Sequence, residues 1–201
     1  MTKEKTLSKR ERNLADIRER ACIVAERIVL TKGIDALSAR GLAKELNISV
    51  GSLYNAFGDL DAVVRAVISK SAAMLSDRLH SAIETAPQDK RSRLVALGEA
   101  YFDFATAEPR RWWLMFEYRS DLPQDPKAQD FQIGLLETLI IAGEADPKSE
   151  QHRQFFLLLW ASVHGLVSLA CRPNIVAINP KIARTYISDL VDSGINAFPI
   201  S

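Results

Sequence analysis

Apolar residues recur along this chain at intervals of three and four, not in alternation. Leu14, Ile17, Ala21, Val24, Ala25 and Ile28 fall on one face of a helix. Lys32-Gly33 closes that helix with a positive last turn and a glycine stop. Proline placement marks further starts. Asp125-Pro126, Asp146-Pro147 and Asn179-Pro180 each set a capping residue before a proline, which a helix tolerates at its first position because that N–H is unpaired anyway. Glu108-Pro109 separates two more helices. The pattern predicts an all-α chain with helices over 13–32, 38–46, 50–57, 60–84, 89–107, 110–119, 126–143, 147–171 and 180–197. No glycine-rich linker or internal repeat interrupts them, and the fourth helix runs from the N-terminal part into the rest.

The informative stretch is LSARGLAKELNISVGSLYNAFGDLD, residues 37–61. Ser38 can cap a short helix whose inner face is Leu42, Ala43 and Leu46. Asn47 then stands where a tight turn needs a residue that accepts the left-handed conformation. Ile48 can plug the angle between two helices, and Ser49 can cap the second. In that second helix Val50, Leu53 and Phe57 face inward, leaving Gly51, Ser52, Tyr54 and Asn55 outside. Small, hydroxyl and amide side chains on an exposed helix can approach base edges and phosphates. Asn55 suits paired hydrogen bonds to adenine, while Ser52 and Tyr54 suit phosphate oxygens. Arg40 and Lys44 add charge from the preceding helix, with a Lys/Arg-rich arm before Leu14. The spacing fits a helix-turn-helix; by spacing alone it also fits an ordinary helical hairpin.

The same residues resemble the DNA-binding signature of the TetR family: a long helix, a short helix, a turn, and a recognition helix ending in Leu53-Tyr54-Asn55-Ala56-Phe57, then Gly58-Asp59 and a long helix. The likeness covers about residues 13–70. Trp160 and Val163-His164-Gly165-Leu166 are similar to a Trp…His-Gly sensor-domain subgroup. Two departures stand out. Asn47 replaces the usual turn glycine, and Leu60 replaces a lysine common at the start of the fourth helix, so no phosphate contact is carried over to that position.

The resemblance implies a basic arm (1–12), a helix-turn-helix domain (13–59) and a ligand-sensing and dimerisation domain (60–201). It implies a cytoplasmic repressor that binds a palindromic duplex operator as a homodimer and is released by a small apolar or aromatic ligand. Dimerisation would use the last two helices. Ala161, Gly165 and Ser168 offer close approach, and Tyr186 and Leu190 lie on a second apolar stripe; packing within one chain is the alternative. Pocket candidates are the aromatics of the middle helices: Tyr101, Phe102, Phe104, Trp112, Trp113, Phe116, Phe131, Phe155 and Trp160, with His164 one turn from Trp160. Aromatics at helical spacing equally serve as core.

Charge sharpens this reading only when the chain is divided. Residues 1–70 hold 13 Lys+Arg against 9 Asp+Glu, a net of +4, and residues 71–201 hold 13 against 16, a net of −3. A basic first third suits a polyanion. Cys22 and Cys171 lack metal-ligand spacing and fit a reducing compartment without disulfides. The charged N-terminus is no secretion signal. The run FFLLLWASVHGLVSLAC, residues 155–171, falls short of the ~20 residues a membrane span needs, so a buried core or interface helix is expected. His80, His152 and His164 are not spaced as metal ligands, and no nucleophile elbow, phosphate loop or paired-cysteine motif occurs. The reading is therefore not an enzyme, with no cofactor and no metal; a helical adaptor is the alternative, and an enzyme a more distant one.

Overall fold

The computed structural model describes residues 8–118, 126–171 and 177–197, and among these every regular element is helical. The contacts divide the chain into two compact units, one built from residues up to Ser71 with the stretch from Leu114, the other from Ala72–Trp113 and the chain after Pro123.

The first unit contains α1 (Lys9–Lys32), a single 3-10 turn (Ile34–Ala36), α2 (Ala39–Leu46), α3 (Val50–Phe57) and the start of α4 (Leu60–Thr85). Helix α1 begins four residues before the predicted Asn13. Ser8 caps it, with Glu11 N–H donating to Ser8 Oγ at 3.2 Å and Ser8 N–H donating to Glu11 Oε2 at 2.7 Å. This reciprocal box satisfies two donors at the helix start and brings Lys9, Arg10 and Arg12 of the predicted basic arm into α1. The remainder of that arm, with Lys3 and Lys5, lies outside the described residues. Ile17, Ala21, Ala25, Ile28 and Val29 supply the buried stripe of α1, with Leu14 and Val24 only half-buried at its margin. Ala21, Ala25, Ile28 and Val29 pack with Leu42, Leu46 and Leu53, and with Val63, Val64 and Val67 of α4.

The second unit contains the rest of α4, α5 (Lys90–Ala107), the start of α6 (Pro109–Glu117), α7 (Pro126–Ala142), α8 (Glu150–Cys171) and α9 (Pro180–Ala197). Prolines 126 and 180 head helices as their placement predicts, and Pro109 heads α6, one residue before the predicted start. Pro147 does not. Asp146 Oδ1 accepts from Lys148 N–H at 2.9 Å and holds a turn, and α8 starts after Ser149, whose Oγ accepts from His152 N–H at 3.3 Å. Helices α5 and α8 pack on α9, and α7 packs on both α5 and α8. The α5–α9 approach is close because Gly98 lies against Ile187: a Cβ on Gly98 would sit 2.5 Å from Ile187 Cγ2.

Helix α8 corrects one expectation. Its 22 residues, mean hydropathy 1.6 over the best window, are long and apolar enough to cross a membrane by length and composition. Phe156, Leu159, Val163, Leu166, Val167 and Ala170 are nonetheless buried in the packing of the second unit, as a core helix requires.

Candidate nucleic-acid interface and ligand cavity

The turn between α2 and α3 is built by three short-range devices. Ser38 Oγ accepts from Gly41 N–H at 3.1 Å and starts α2. Asn47 takes the left-handed conformation, φ 55° and ψ 46°, and Ile48 N–H donates back to Ala43 carbonyl at 3.0 Å, so the last carbonyls of α2 are satisfied as the chain reverses. Ile48 packs against the core, and Ser49 Oγ accepts from Ser52 N–H at 2.9 Å to start α3. Gly58, at φ 89°, ends α3, and Asp59 Oδ1 receives Ala62 N–H at 2.6 Å at the start of α4.

With both ends pinned, α3 presents a defined outer face. Leu53 and Ala56 are buried, and Val50 and Phe57 are half-buried. Ala56, absent from the predicted inner face, takes the position one turn after Leu53. Gly51, Tyr54 and Asn55 are exposed, as are Arg40 and Lys44 on α2. Ser49 caps α3 as expected, and Ser52 is half-buried beside it. Ser49 and Ser52 hydroxyls lie 2.8 Å apart, so Ser52 shares its hydrogen bonding with the cap instead of standing free.

Two residues that sequence reasoning passed over brace this motif. Arg18 Nε donates to Ala56 carbonyl at 2.7 Å, and Arg20 Nη2 donates to Leu46 carbonyl at 3.0 Å. Each α1 guanidinium thus meets carbonyls at the end of a short helix, where the helix dipole is negative. Near the start of α4, Asp61 accepts from Arg65 and from Tyr118 Oη, the latter at 2.6 Å. Leu114 and Tyr118 belong to this unit's core, so the end of α6 is part of it. Phe116, expected to line a pocket, belongs to this first unit and lines neither cavity of the second.

Among the described residues of the second unit, two cavities adjoin each other. The inner one, about 30 Å³, is walled by leucines and valines, with Tyr101 and Trp160 the aromatics on it. The outer one, about 370 Å³, is lined by Ser76 and His80 of α4 and by Phe131, Gly134, Glu137 and Ile141 of α7. Leu79, Leu135 and Thr138 border both. Beside the inner cavity Tyr101 Oη and His164 Nδ1 are 2.7 Å apart, and the imidazole packs against Trp112 and Trp160, each ring centroid 5.1 Å away. Burial pushes the Tyr101 phenol far above its usual range, against hydrogen bonds from Trp112 and Trp160 that pull it down. The phenol is therefore a neutral hydrogen-bonding group at any ordinary pH. Phe102, Phe104 and Trp112 are buried core residues that do not line either cavity, and neither does half-buried Trp113.

One face of α8 and α9 is left uncovered. Leu158 is 69% exposed and Leu157 50%; on α9 Ile182 is 48% and Tyr186 46% exposed. Ala161 is exposed, while Gly165, Ser168 and Leu190 are half-buried. A Cβ on Gly165 would meet no atom within 4 Å, so this glycine borders open space.

The comparisons with known proteins agree with this architecture. Residues 24–67 match the family described as bacterial regulatory proteins, tetR family, and residues 94–189 match the tetracyclin repressor-like C-terminal domain. No curated protein matches the chain. Among solved structures, a protein with unknown function from Rhodococcus sp. RHA1 superposes with a TM-score of 0.71 at 24% identity, covering 89% of this chain and 94% of that one. A TetR-family transcriptional regulator from Streptomyces coelicolor gives 0.66 at 18%, covering 90% and 98%. The transcriptional regulator FadR from Bacillus subtilis, in complex with stearoyl-CoA, gives 0.65 at 14%, covering 88% and 98%. At these identities the structures speak for the fold, and the two family matches, together spanning more than half of the sequence, speak for descent: the chain belongs to the TetR family of bacterial transcriptional regulators.

Proposed function

We propose that this chain is a sequence-specific, DNA-binding repressor that acts as a cytoplasmic homodimer and leaves its operator when a small, mainly apolar ligand enters the second unit. The observation that carries the reading is the exposed face of α3, with Tyr54 and Asn55 on a helix capped at both ends and Arg40 and Lys44 beside it. A rigid helix with short polar side chains can enter a major groove, and flanking cations hold phosphates. The uncovered apolar face of α8 and α9 supports a dimer. The cavities of the second unit support a ligand, as does the fact that the B. subtilis relative was solved with stearoyl-CoA. Helices α4 and α6 each contribute residues to both units, so a ligand-dependent change in either can be passed along continuous helix. Its size is bounded by the ligand's differential affinity for the two states.

The test is a mobility-shift titration of the purified protein against duplex DNA from upstream of its own gene, at several salt concentrations. A specific shift that weakens steeply with salt is expected. Lys44→Ala should weaken binding to all sequences alike and flatten the log–log salt slope by about one unit, the loss of one phosphate contact. Absence of any specific shift would favour a helical adaptor, and turnover of a substrate without DNA binding an enzyme.

A further inference from the structure

The two cavities of the second unit divide along chemical lines. The inner one is apolar and ends at Trp160 and Tyr101. Alone it is too small for more than a short alkyl segment, since ligand sites run to roughly 300–1,000 Å³. The outer one, about 370 Å³, reaches that range and carries the polar groups. Ser76 brings a hydroxyl that can donate or accept, and the other polar groups there are acceptors. His80 Nδ1 lies 2.8 Å from Ser76 carbonyl, which can only accept, so Nδ1 donates there and Nε2, in the uncharged ring, is the acceptor that faces a ligand. Thr138 spends its hydroxyl proton on Gly134 carbonyl at 2.8 Å and retains only lone pairs. Glu137, exposed on α7, adds a carboxylate, and among the described residues no Lys or Arg lines either cavity. A head group placed here meets acceptors and a negative charge, which suit a donor-only cation and oppose a carboxylate or phosphate.

We propose that the pair forms one site for an amphipathic amine. Its aliphatic part passes the Leu79–Leu135 boundary toward Trp160, and its ammonium group is held in the outer cavity by Glu137 and His80 Nε2. This inference rests on the ligand-binding part of the proposed function and specifies its chemistry.

The experiment uses the full-length protein without DNA. Trp fluorescence and titration calorimetry are followed with n-decylamine, n-decanol and decanoate, each below its critical micelle concentration. Decylamine should bind saturably, one molecule per chain, at least tenfold tighter than decanoate. Glu137→Gln should remove most of that preference while leaving decanol unchanged. Glu84→Gln, an acid that lines neither cavity, should change nothing. Gly134→Leu should block all three, because a Cβ at Gly134 meets no atom within 4 Å and the larger side chain would occupy cavity space; an unchanged helical circular dichroism spectrum checks that the variant is folded. Equal affinity for decanoate and decylamine would overturn the proposal, as would amine binding that survives Gly134→Leu or falls equally in Glu84→Gln. With no DNA present the outcomes separate. A protein that binds the amine but no operator contradicts the repressor reading alone, and one that binds an operator but discriminates against the amine contradicts this inference alone.

Discussion

Asn47 joins α2 to α3 with φ 55° and ψ 46°, a conformation that costs most L-residues about 1–2 kcal/mol and that glycine and asparagine take most readily. Asn47→Ala should therefore destabilise the protein by about 1 kcal/mol in urea unfolding. Asn47→Gly should stay within a few tenths of the native value, since glycine takes this conformation without a Cβ penalty. Equal losses for Ala and Gly would mean that the asparagine side chain, and not its backbone, holds the turn. This part of the interface was legible in the sequence because its causes are local. Asn47, the Ser49 cap and the inward Leu53 lie within seven residues of each other. Arg18 and Arg20 were not legible. Their partners, the carbonyls of Ala56 and Leu46, are 38 and 26 residues away and carry no side-chain signal. A basic residue on α1 reads equally well as a phosphate contact.

At the scale of helices, periodicity and proline placement located most elements because each helix hides one stripe and proline is tolerated at a first turn. The failures have physical causes. Asp146 spends its carboxylate on a turn, so Ser149 and not Asp146 starts α8. Glu11 reaches back to Ser8, so α1 begins earlier than its apolar stripe does. Gly98 gave no warning, because a glycine inside a helical pattern looks like a mere loss of propensity until its neighbour is known. Against Ile187 it is a close-approach residue, and Gly98→Ala should cost a net 1 kcal/mol or more: overpacking costs about 1–3 kcal/mol, and the gain in helix propensity, up to about 1 kcal/mol, offsets only part of it. Gly134→Ala, in open space on α7, should instead raise stability by up to about 1 kcal/mol. Thermal unfolding of the two variants checks the contrast; equal and stabilising shifts would remove the tight α5–α9 contact from the account. Aromatic residues were least legible. Trp112 and Phe104 are core, Tyr101 and Trp160 reach a cavity, and helical spacing treats all four alike.

At the scale of the whole molecule, the proposed repressor consists of two copies. Leu158, 69% exposed on α8, belongs with Leu157 to the apolar face that a second copy would cover. Leu158→Glu should leave the helical circular dichroism unchanged and shift light scattering from dimer to monomer; a native-mass dimer would place the interface elsewhere. A dimer also doubles the reading helix, so the operator must repeat what one α3 reads. The most direct test selects preferred sequences from random duplexes with native protein and with Asn55→Ala. The native profile should be a palindrome whose half-site centres are about 34–36 Å apart, or a multiple of that. Asn55→Ala should lose about 1–3 kcal/mol on the best site and relax one position symmetrically in both halves. Identical profiles for the two proteins would remove Asn55 from base reading, and a native protein that enriches no sequence at all would contradict the claim that this chain is a DNA-reading regulator.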